Sequence, residues 1–320
     1  MTVFNLPHFQ DAEKAREYLE SIRWPNGPVC PKCGVAEGHY ALEGKGGKKG
    51  TKARLGLWKC GACRKQFTVT VGTVLERSKI ALHVWLQATY LLCSSKKGMS
   101  AHQLHRTMGV TYKTAWFMAH RIREAMRELY PHHDPMGGEG KVVESDETYI
   151  GPQEKFYRGS KVADKRGRKR ALLPKEKVVT LIERGGRVRS THVPDVTAKT
   201  LRPILWGQIH RKSRLMTDDA GVYKSIGRGF AGHESVTHSI REYVRGDAHV
   251  NTCENYFSIL KRGLNGIYQH VSPKHLKRYV GEFDFRYNHR HVTDAERADE
   301  ALKGIEGKRL TYRQPSAGGR

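Results

Sequence analysis

Apolar residues recur at helical spacing in the first and middle parts of the chain. The first such series predicts an amphipathic helix that ends before Trp24–Pro25. Its apolar face consists of Phe9, Ala12, Ala15, Leu19 and Ile22. Further along, Val84–Cys93 is predicted to form a helix, and Ser100 should cap a short second helix. Gly109 should then turn the chain, and Thr111 should begin a longer third helix. A short helix, a glycine turn and a basic helix are typical of a helix-turn-helix DNA-binding segment, although any helical hairpin with a solvated basic face would look alike.

After residue 140 the pattern changes to strands that alternate with helices. Lys141–Gly151 alternates like a strand, and a hairpin follows with Arg184-Gly-Gly-Arg187 as its turn. The hairpin strands are Glu176–Glu183 and Val188–Val193; the later elements are the helix Thr197–His210, the strand Arg214–Asp219, a short helix around Val222–Ile226, the strand His233–Ser239 and the helix Thr252–Leu264. This order predicts an α/β domain with a mixed sheet.

Four of the six cysteines form two Cys-x-x-Cys pairs, Cys30–Cys33 and Cys60–Cys63, with 26 residues between the pairs. Two such knuckles can supply four thiolates to one tetrahedral zinc ion. Gly34 and Gly61 provide backbone freedom where the knuckles turn. A redox Cys-x-x-Cys or unrelated buried thiols are the alternatives, but the pairing favours a structural zinc ribbon. Cys93 and Cys253 have no such partners in the sequence and are interpreted as packing residues.

The charge of the chain predicts a polyanionic partner. Lys and Arg number 57 against 32 Asp and Glu, which gives a formal charge of +25. A basic loop follows the first strand of the α/β domain, and phosphate contact or simple solvation are both possible for it. The candidate DNA-binding residues are Lys113, Arg121 and Arg123 in the basic helix, Lys165, Arg166, Arg168, Lys169 and Arg170 in the loop, and Arg286 and Arg290 in a late helix where structural ion pairs are the alternative.

Apolar runs are far shorter than the roughly 18 residues of a membrane span, so we expect a soluble, cytoplasmic protein.

Three widely separated carboxylates could meet in the α/β domain. Asp146 lies in its first strand, Asp218 at the end of its fourth strand, and Glu254 in a late helix. Hard divalent cations such as Mg²⁺ and Mn²⁺ prefer carboxylate oxygens, and a pair of ions can stabilise both oxygens of a phosphoryl displacement. Lys261 follows Glu254 by nearly two helical turns and shares its face. Each acid alone is more commonly structural.

Three acidic blocks stand out in the sequence: Val143-Glu-Ser-Asp-Glu-Thr-Tyr-Ile-Gly151, Met216-Thr-Asp-Asp-Ala-Gly-Val-Tyr223 and Asn251-Thr-Cys-Glu-Asn-Tyr-Phe-Ser-Ile-Leu-Lys-Arg-Gly263. They resemble the acidic blocks of bacterial insertion-sequence DDE transposases, and the similarity extends to Arg23–Gly27, His270–Val280 and Glu282–Arg290. The similar group has an N-terminal zinc ribbon and a ribonuclease H-like catalytic domain, and the likeness covers about residues 9–290.

The resemblance implies that Asp146, Asp218 and Glu254 bind two catalytic Mg²⁺ or Mn²⁺ ions, with Lys261 as the attendant cation. Asn251 is the alternative third ligand, because an asparagine is thought to replace the third acid in part of the family. Neighbouring residues of a strand face opposite sides. We therefore expect Asp146–Glu147 and Asp218–Asp219 to contribute one ligand each.

The implied function is that of a transposase. It would bind the terminal inverted repeats of its element and target double-stranded DNA at the bacterial nucleoid, as a homodimer or a larger assembly. A DNA-binding regulator that no longer cuts, or a structure-selective nuclease of the same fold, are the alternatives. The expected divisions are 1–78 for the first helix and ribbon, 79–130 for the helix-turn-helix segment, 131–140 for a linker, 141–306 for the catalytic domain and 307–320 for a disordered tail.

Overall fold

The computed structural model describes residues 3–42, 55–128, 134–151, 175–237, 240 and 242–310. The chain divides into two compact units. Unit 1 contains residues 1–128 and 289–320, and unit 2 contains residues 129–288. No helix among the described residues is both long and apolar enough to cross a membrane. Part of the expected linker and most of the expected tail lie outside the described residues.

Unit 1 begins with two short helices, α1 (Pro7–Gln10) and α2 (Ala12–Arg23). Asp11 caps α2, since its Oδ1 accepts hydrogen bonds from the backbone N–H groups of Glu13 and Lys14 at 2.9 and 2.8 Å. Of the predicted apolar face, Ala15 and Leu19 are fully buried, Ile22 is half-buried and Ala12 is exposed, while Phe9 is buried in the separate helix α1. The helix α2 ends before Trp24 as predicted.

A three-stranded antiparallel sheet follows, formed by β1 (His39–Ala41), β2 (Trp58–Cys60) and β3 (Gln66–Phe67), with β2 in the centre. Its short strands carry one cysteine pair at the end of β2. The structure thus has the ribbon that the paired cysteines predicted. The basic stretch between β1 and β2, residues 43–54, lies outside the described residues.

The helical part of unit 1 contains α3 (Leu82–Ser94), α4 (Ala101–Met108) and α5 (Tyr112–Met126). The predicted helix ends are present. Ser100 Oγ accepts a hydrogen bond from Gln103 N at 3.1 Å, and Thr111 Oγ1 accepts one from Thr114 N at 3.3 Å. Gly109 ends α4 in a left-handed conformation, with φ +64°. A last helix, α10 (Asp294–Lys303), also belongs to unit 1. The sequence-based boundary assigned α10 to the catalytic domain, whereas its Arg297 bonds to the carbonyl of Cys93 in α3 at 3.1 Å.

Unit 2 is built on a five-stranded mixed sheet with the order β6-β5-β4-β7-β8. The strands are β4 (Val142–Ile150), β5 (Glu176–Glu183), β6 (Val188–Val193), β7 (Arg214–Asp218) and β8 (Gly232–Val236). β4, β5 and β6 pair antiparallel, while β7 runs parallel to both β4 and β8. This is the mixed α/β arrangement that the order of elements predicted.

Helices cover both faces of this sheet: α6 (Ala198–Gln208), α7 (Gly221–Gly227), α8 (Asn251–Gly263) and α9 (Pro273–Asn288). The side chains of β5 alternate between the two cores, as the strand period requires. Val178 and Ile182 join the core that contains residues of α8 and α9, and Val179 and Leu181 join the core that contains residues of α6 and α7. The sheet is therefore buried on both faces, and the candidate functional residues lie within β4, at the end of β7 and on α8.

Candidate metal centres

The four paired cysteines of the ribbon converge on one point. The Sγ atoms of Cys30 and Cys63 are 3.7 Å apart, and those of Cys33 and Cys60 are also 3.7 Å apart. All four sulfur atoms lie within 4.8 Å of one another. A tetrahedron with Zn–S bonds of about 2.3 Å has edges of about 3.8 Å. The four thiols thus have the spacing and the chemistry of a closed, structural zinc site.

The backbone of the two knuckles is nearly equivalent. In each, the residue after the second cysteine adopts a left-handed conformation, with φ +75° at Gly34 and φ +60° at Arg64. Gly61 serves a different purpose, because a Cβ atom there would lie 2.3 Å from the carbonyl oxygen of Gly38. Gly61 thus permits close backbone approach, and its N–H donates to that same oxygen at 2.9 Å. Cys93 and Cys253 are buried in α3 and α8.

Strand register brings the two predicted aspartates of unit 2 together. Glu144 of β4 is paired with Met216 of the parallel strand β7. Asp146 and Asp218 each follow these residues by two positions, so they face the same side of the sheet, with Asp146 in the middle of β4 and Asp218 at the end of β7. Their carboxylate oxygens lie within 4.8 Å of each other. The pairing of β4 with β7 therefore brings two acids that are distant in the sequence into one small volume.

Glu147 joins this group, contrary to the expectation that each acidic pair supplies one ligand. One carboxylate oxygen from each of Asp146, Glu147 and Asp218 lies within the same 4.8 Å. The described β4–β7 register ends at Glu144, and the Tyr223 hydroxyl of α7 donates to Glu147 Oε2 at 2.8 Å. The hydrogen bond draws the longer glutamate side chain towards Asp218, so strand alternation does not decide its position.

The first turn of α8 carries the other two candidates for the third ligand. Asn251 and Glu254 are both exposed there. Glu254 lies outside the 4.8 Å group formed among the described residues, but its charge is near enough to act on the pKa of Asp146. Lys261 lies further along α8 and lines a cavity of about 190 Å³ together with Lys175, Tyr149 and Asn265. Lys175 lies near the end of the basic loop after the first strand, for which a phosphate contact was one of the two expectations.

The electrostatics of the carboxylate group favour a bound cation. Burial raises the pKa of Asp146 to about 7, and the negative charges of Asp218, Glu147 and Glu254 act in the same direction. Burial and the charge of Asp218 also raise the pKa of Glu147. Buried like charges repel, and a divalent cation would relieve this repulsion. Carboxylate oxygens are the ligands that Mg²⁺ and Mn²⁺ prefer.

Burial argues against a DNA-binding role for three of the predicted arginines. Arg121, Arg123 and Arg286 are only 8%, 2% and 8% exposed. Arg121 lies over the ring of Phe117 at 4.7 Å, and Arg286 forms an ion pair with Glu282, which was the structural alternative. These arginines have the helical spacing of a basic face, but packing turns them inward.

The remaining DNA-binding candidates fall into three groups. Lys113 is exposed near the start of α5, and Arg290 is half-buried in unit 1. The loop candidates lie outside the described residues: Lys165, Arg166, Lys169, Arg168 and Arg170.

Comparisons with known proteins match two parts of the chain to transposase domains. An ISXO2-like transposase domain matches residues 137–288, and a transposase zinc-ribbon domain matches residues 10–66. A Halobacterium salinarum protein, named an uncharacterized protein in transposable element ISH50, is 31% identical over 291 residues, which are 87% of this chain and 91% of that protein. The first match coincides with the unit that holds the carboxylate group, and the second with α2 and the ribbon. The chain therefore belongs to the ISXO2-like transposase family with an N-terminal zinc ribbon.

Proposed function

We propose that this protein moves an insertion sequence by binding its terminal inverted repeats, cleaving DNA strands and joining the ends to target DNA. The observation that carries the proposal is the convergence of Asp146 and Asp218 on adjacent strands, within 4.8 Å and beside a third acid. Family membership supports the same reaction class.

Each side chain of the site has a proposed task. Asp146 and Asp218 would hold Mg²⁺ or Mn²⁺, with Glu254 as third ligand and Glu147 or Asn251 as further oxygen donors. When bound, two such ions supply positive charge to the attacking and leaving oxygens of an in-line displacement at phosphorus. Lys261 and Lys175 line one cavity, and we propose that their charges hold a DNA phosphate. Nicking by water and attack by a 3′-hydroxyl need the same arrangement.

The described surface of unit 1 offers a groove for the DNA backbone. A cavity of about 320 Å³ is lined by Arg77, Lys79 and Lys113, with Phe117 and the buried Arg121 beside them. The first three side chains are exposed. A cation placed on a phosphate releases counterions, so such a groove binds DNA without requiring a base contact. We propose that this groove holds the terminal repeat against the start of α5.

Two further parts of the proposal concern assembly and location. Joining two element ends requires two active sites around paired DNA, so a homodimer or larger assembly on DNA is proposed. Its substrates are the element ends and chromosomal target DNA, which places the protein at the nucleoid. The Cys₄ zinc ion would stabilise the ribbon and take no part in the reaction.

The test is a strand-transfer assay with the full chain, Mn²⁺ and DNA that carries the element's terminal repeats. Asp146→Asn should abolish nicking and joining while DNA affinity stays within about twofold, since only the metal ligand changes. Asp219→Asn is the matched control, because Asp219 is an exposed neighbour of Asp218, and it should retain activity.

Each other outcome selects a different function. Sequence-specific binding without nicking would indicate a regulator derived from a transposase. Cleavage of branched DNA without joining would indicate a structure-selective nuclease. Nicking that is unchanged by Asp146→Asn would remove the carboxylate group from the reaction.

A further inference from the structure

Glu144 is a fully buried carboxylate on the strand that carries Asp146. Its side chain is 0% exposed, and it lies two residues before Asp146, so both side chains face the same side of β4. A buried carboxylate is costly unless it is paired and hydrogen-bonded. The partners of Glu144 therefore show what the residue is for.

Most of these partners belong to the first turn of α8. Glu144 Oε2 accepts from the backbone N–H groups of Thr252 and Cys253 at 2.9 and 3.2 Å, and Oε1 accepts from the Thr252 hydroxyl at 2.8 Å. The residue before α8, Val250, makes no side-chain capping bond. Glu144 thus caps α8 from a different element, and its negative charge lies at the positive end of the helix.

Arg184 completes this arrangement from the turn after β5. Its Nε donates to Glu144 Oε1 at 2.7 Å, while Nη1 and Nη2 donate to the carbonyl oxygens of Asp247 and His249 at 2.8 and 2.9 Å. One guanidinium therefore joins β4 to the loop that leads into α8.

The same loop is tied to β7. Arg214 at the start of β7 donates to the two carboxylate oxygens of Asp247 at 2.7 and 3.1 Å. These two side chains are 38% and 55% exposed, and exposed ion pairs contribute little. The buried pair of Glu144 and Arg184 is therefore the stronger connection.

We infer that Glu144 and Arg184 are positioning residues for the metal site, and that they fix the first turn of α8 so that Glu254 faces Asp146 and Asp218. Glu254 directly follows Cys253, whose N–H bonds to Glu144, so a displacement of the cap moves Glu254 with it. This inference rests on the proposed function, because Glu254 must be a ligand for its position to matter.

The affinity of the zinc-loaded full chain for Mn²⁺ tests the inference. Electron paramagnetic resonance measures it through the signal of free Mn²⁺. Glu144→Gln keeps the size of the side chain but removes the charge and replaces one acceptor oxygen by a donor. Partners of metal ligands are commonly worth 10–100-fold in affinity, so we expect Mn²⁺ binding to weaken by about tenfold or more. Glu282→Gln is the matched control, since Glu282 is equally buried and pairs with Arg286 within α9; it should leave Mn²⁺ affinity unchanged.

A double-mutant cycle separates positioning from a general loss of stability. If Glu144 acts through Glu254, then Glu144→Gln combined with Glu254→Gln should bind Mn²⁺ no more weakly than Glu254→Gln alone. Additive losses would contradict the inference, as would unchanged affinity in Glu144→Gln or in Glu254→Gln. If Asp146→Asn also leaves Mn²⁺ affinity unchanged, the proposed metal site itself is wrong and the inference falls with it.

Arg184→Lys provides a second variant, which retains a cation at this position. In the parent protein the Arg184 side chain is only 21% exposed. A lysine can neutralise Glu144, but its single nitrogen cannot reproduce the positions of the three guanidinium nitrogens that bond to Glu144 and to the two carbonyl groups. We expect a smaller loss of Mn²⁺ affinity that again disappears in the Glu254→Gln background. If Arg184→Lys binds Mn²⁺ with the affinity of the parent and unit 2 is folded, Arg184 is not a positioning residue.

Discussion

Replacing Asp146 by Asn should stabilise the protein in the absence of Mg²⁺ and Mn²⁺, although it removes a metal ligand. Asp146 is half-buried beside Asp218 and Glu147, and its ionised form is disfavoured there. Asparagine removes the charge but keeps a side-chain oxygen, which can still accept the hydrogen bond that Glu147 N donates at 2.7 Å. The variant therefore loses a repulsion and retains the local contact.

The expected gain follows from the pKa of Asp146, which rises from 3.8 to about 7. At about 1.36 kcal/mol for each pH unit, this change corresponds to an upper limit of about 4 kcal/mol. Because the pKa is higher in the folded than in the unfolded chain, the stability is fully present below about pH 4 and is lost as the pH rises through about 7. The variant should therefore be more stable than the parent at pH 8 and equal to it at pH 4.

Urea unfolding of the zinc-loaded chain would measure this difference in stability. Hydrogen exchange of peptides from β4 and β7 would monitor the unfolding of unit 2. Asp219→Asn is the control and should gain nothing. Added Mn²⁺ should restore stability to the parent at pH 8 but not to Asp146→Asn, because only a ligand that binds the folded state stabilises it. Equal stability of variant and parent at pH 8, or an equal gain at pH 4, would refute the reasoning.

Three further predictions concern the two metal centres. Cys33→Ser should reduce bound zinc from one ion per chain to none, because the energy of zinc binding is folding energy; Cys93→Ser, a buried thiol outside the ribbon, should retain the ion. Gly61→Ala should weaken zinc retention against a chelator more than Gly34→Ala does. A Cβ atom at position 61 would lie 2.3 Å from the carbonyl oxygen of Gly38, whereas one at position 34 would have no close neighbour. Gly34→Ala would cost only the strain of a left-handed backbone, which is about 1–2 kcal/mol. Tyr223→Phe should weaken Mn²⁺ binding by about tenfold if Glu147 contributes a ligand, and unchanged binding would exclude that contribution.

Much of the fold follows from local patterns. The hairpin strands Glu176–Glu183 and Val188–Val193 have the predicted bounds, because alternation and a glycine turn are signals within one segment. Ser100, Gly109 and Thr111 act at the helix ends where their chemistry is required. The paired cysteines also specify their own geometry, since two knuckles can place four sulfur atoms around one ion.

Other features depend on packing between distant segments, and local patterns do not contain them. Arg121 and Arg123 have the spacing of a basic face, yet both are buried. The helix Asp294–Lys303 follows the catalytic segment in sequence but belongs to unit 1. Glu147 lies beside Asp218, where Tyr223, 76 residues later, donates a hydrogen bond to it.

Glu144 and Asp146 show most clearly where sequence reasoning ends. Both are acids on one face of one strand, two residues apart, and nothing local distinguishes them. Glu144 is neutralised by Arg184 and by donors at the start of α8, 108 and 109 residues away. Asp146 instead faces Asp218, Glu147 and the charge of Glu254. Partners brought in by the fold therefore make one carboxylate a cap that orders α8, and leave the other with a surplus of negative charge that a divalent cation can neutralise.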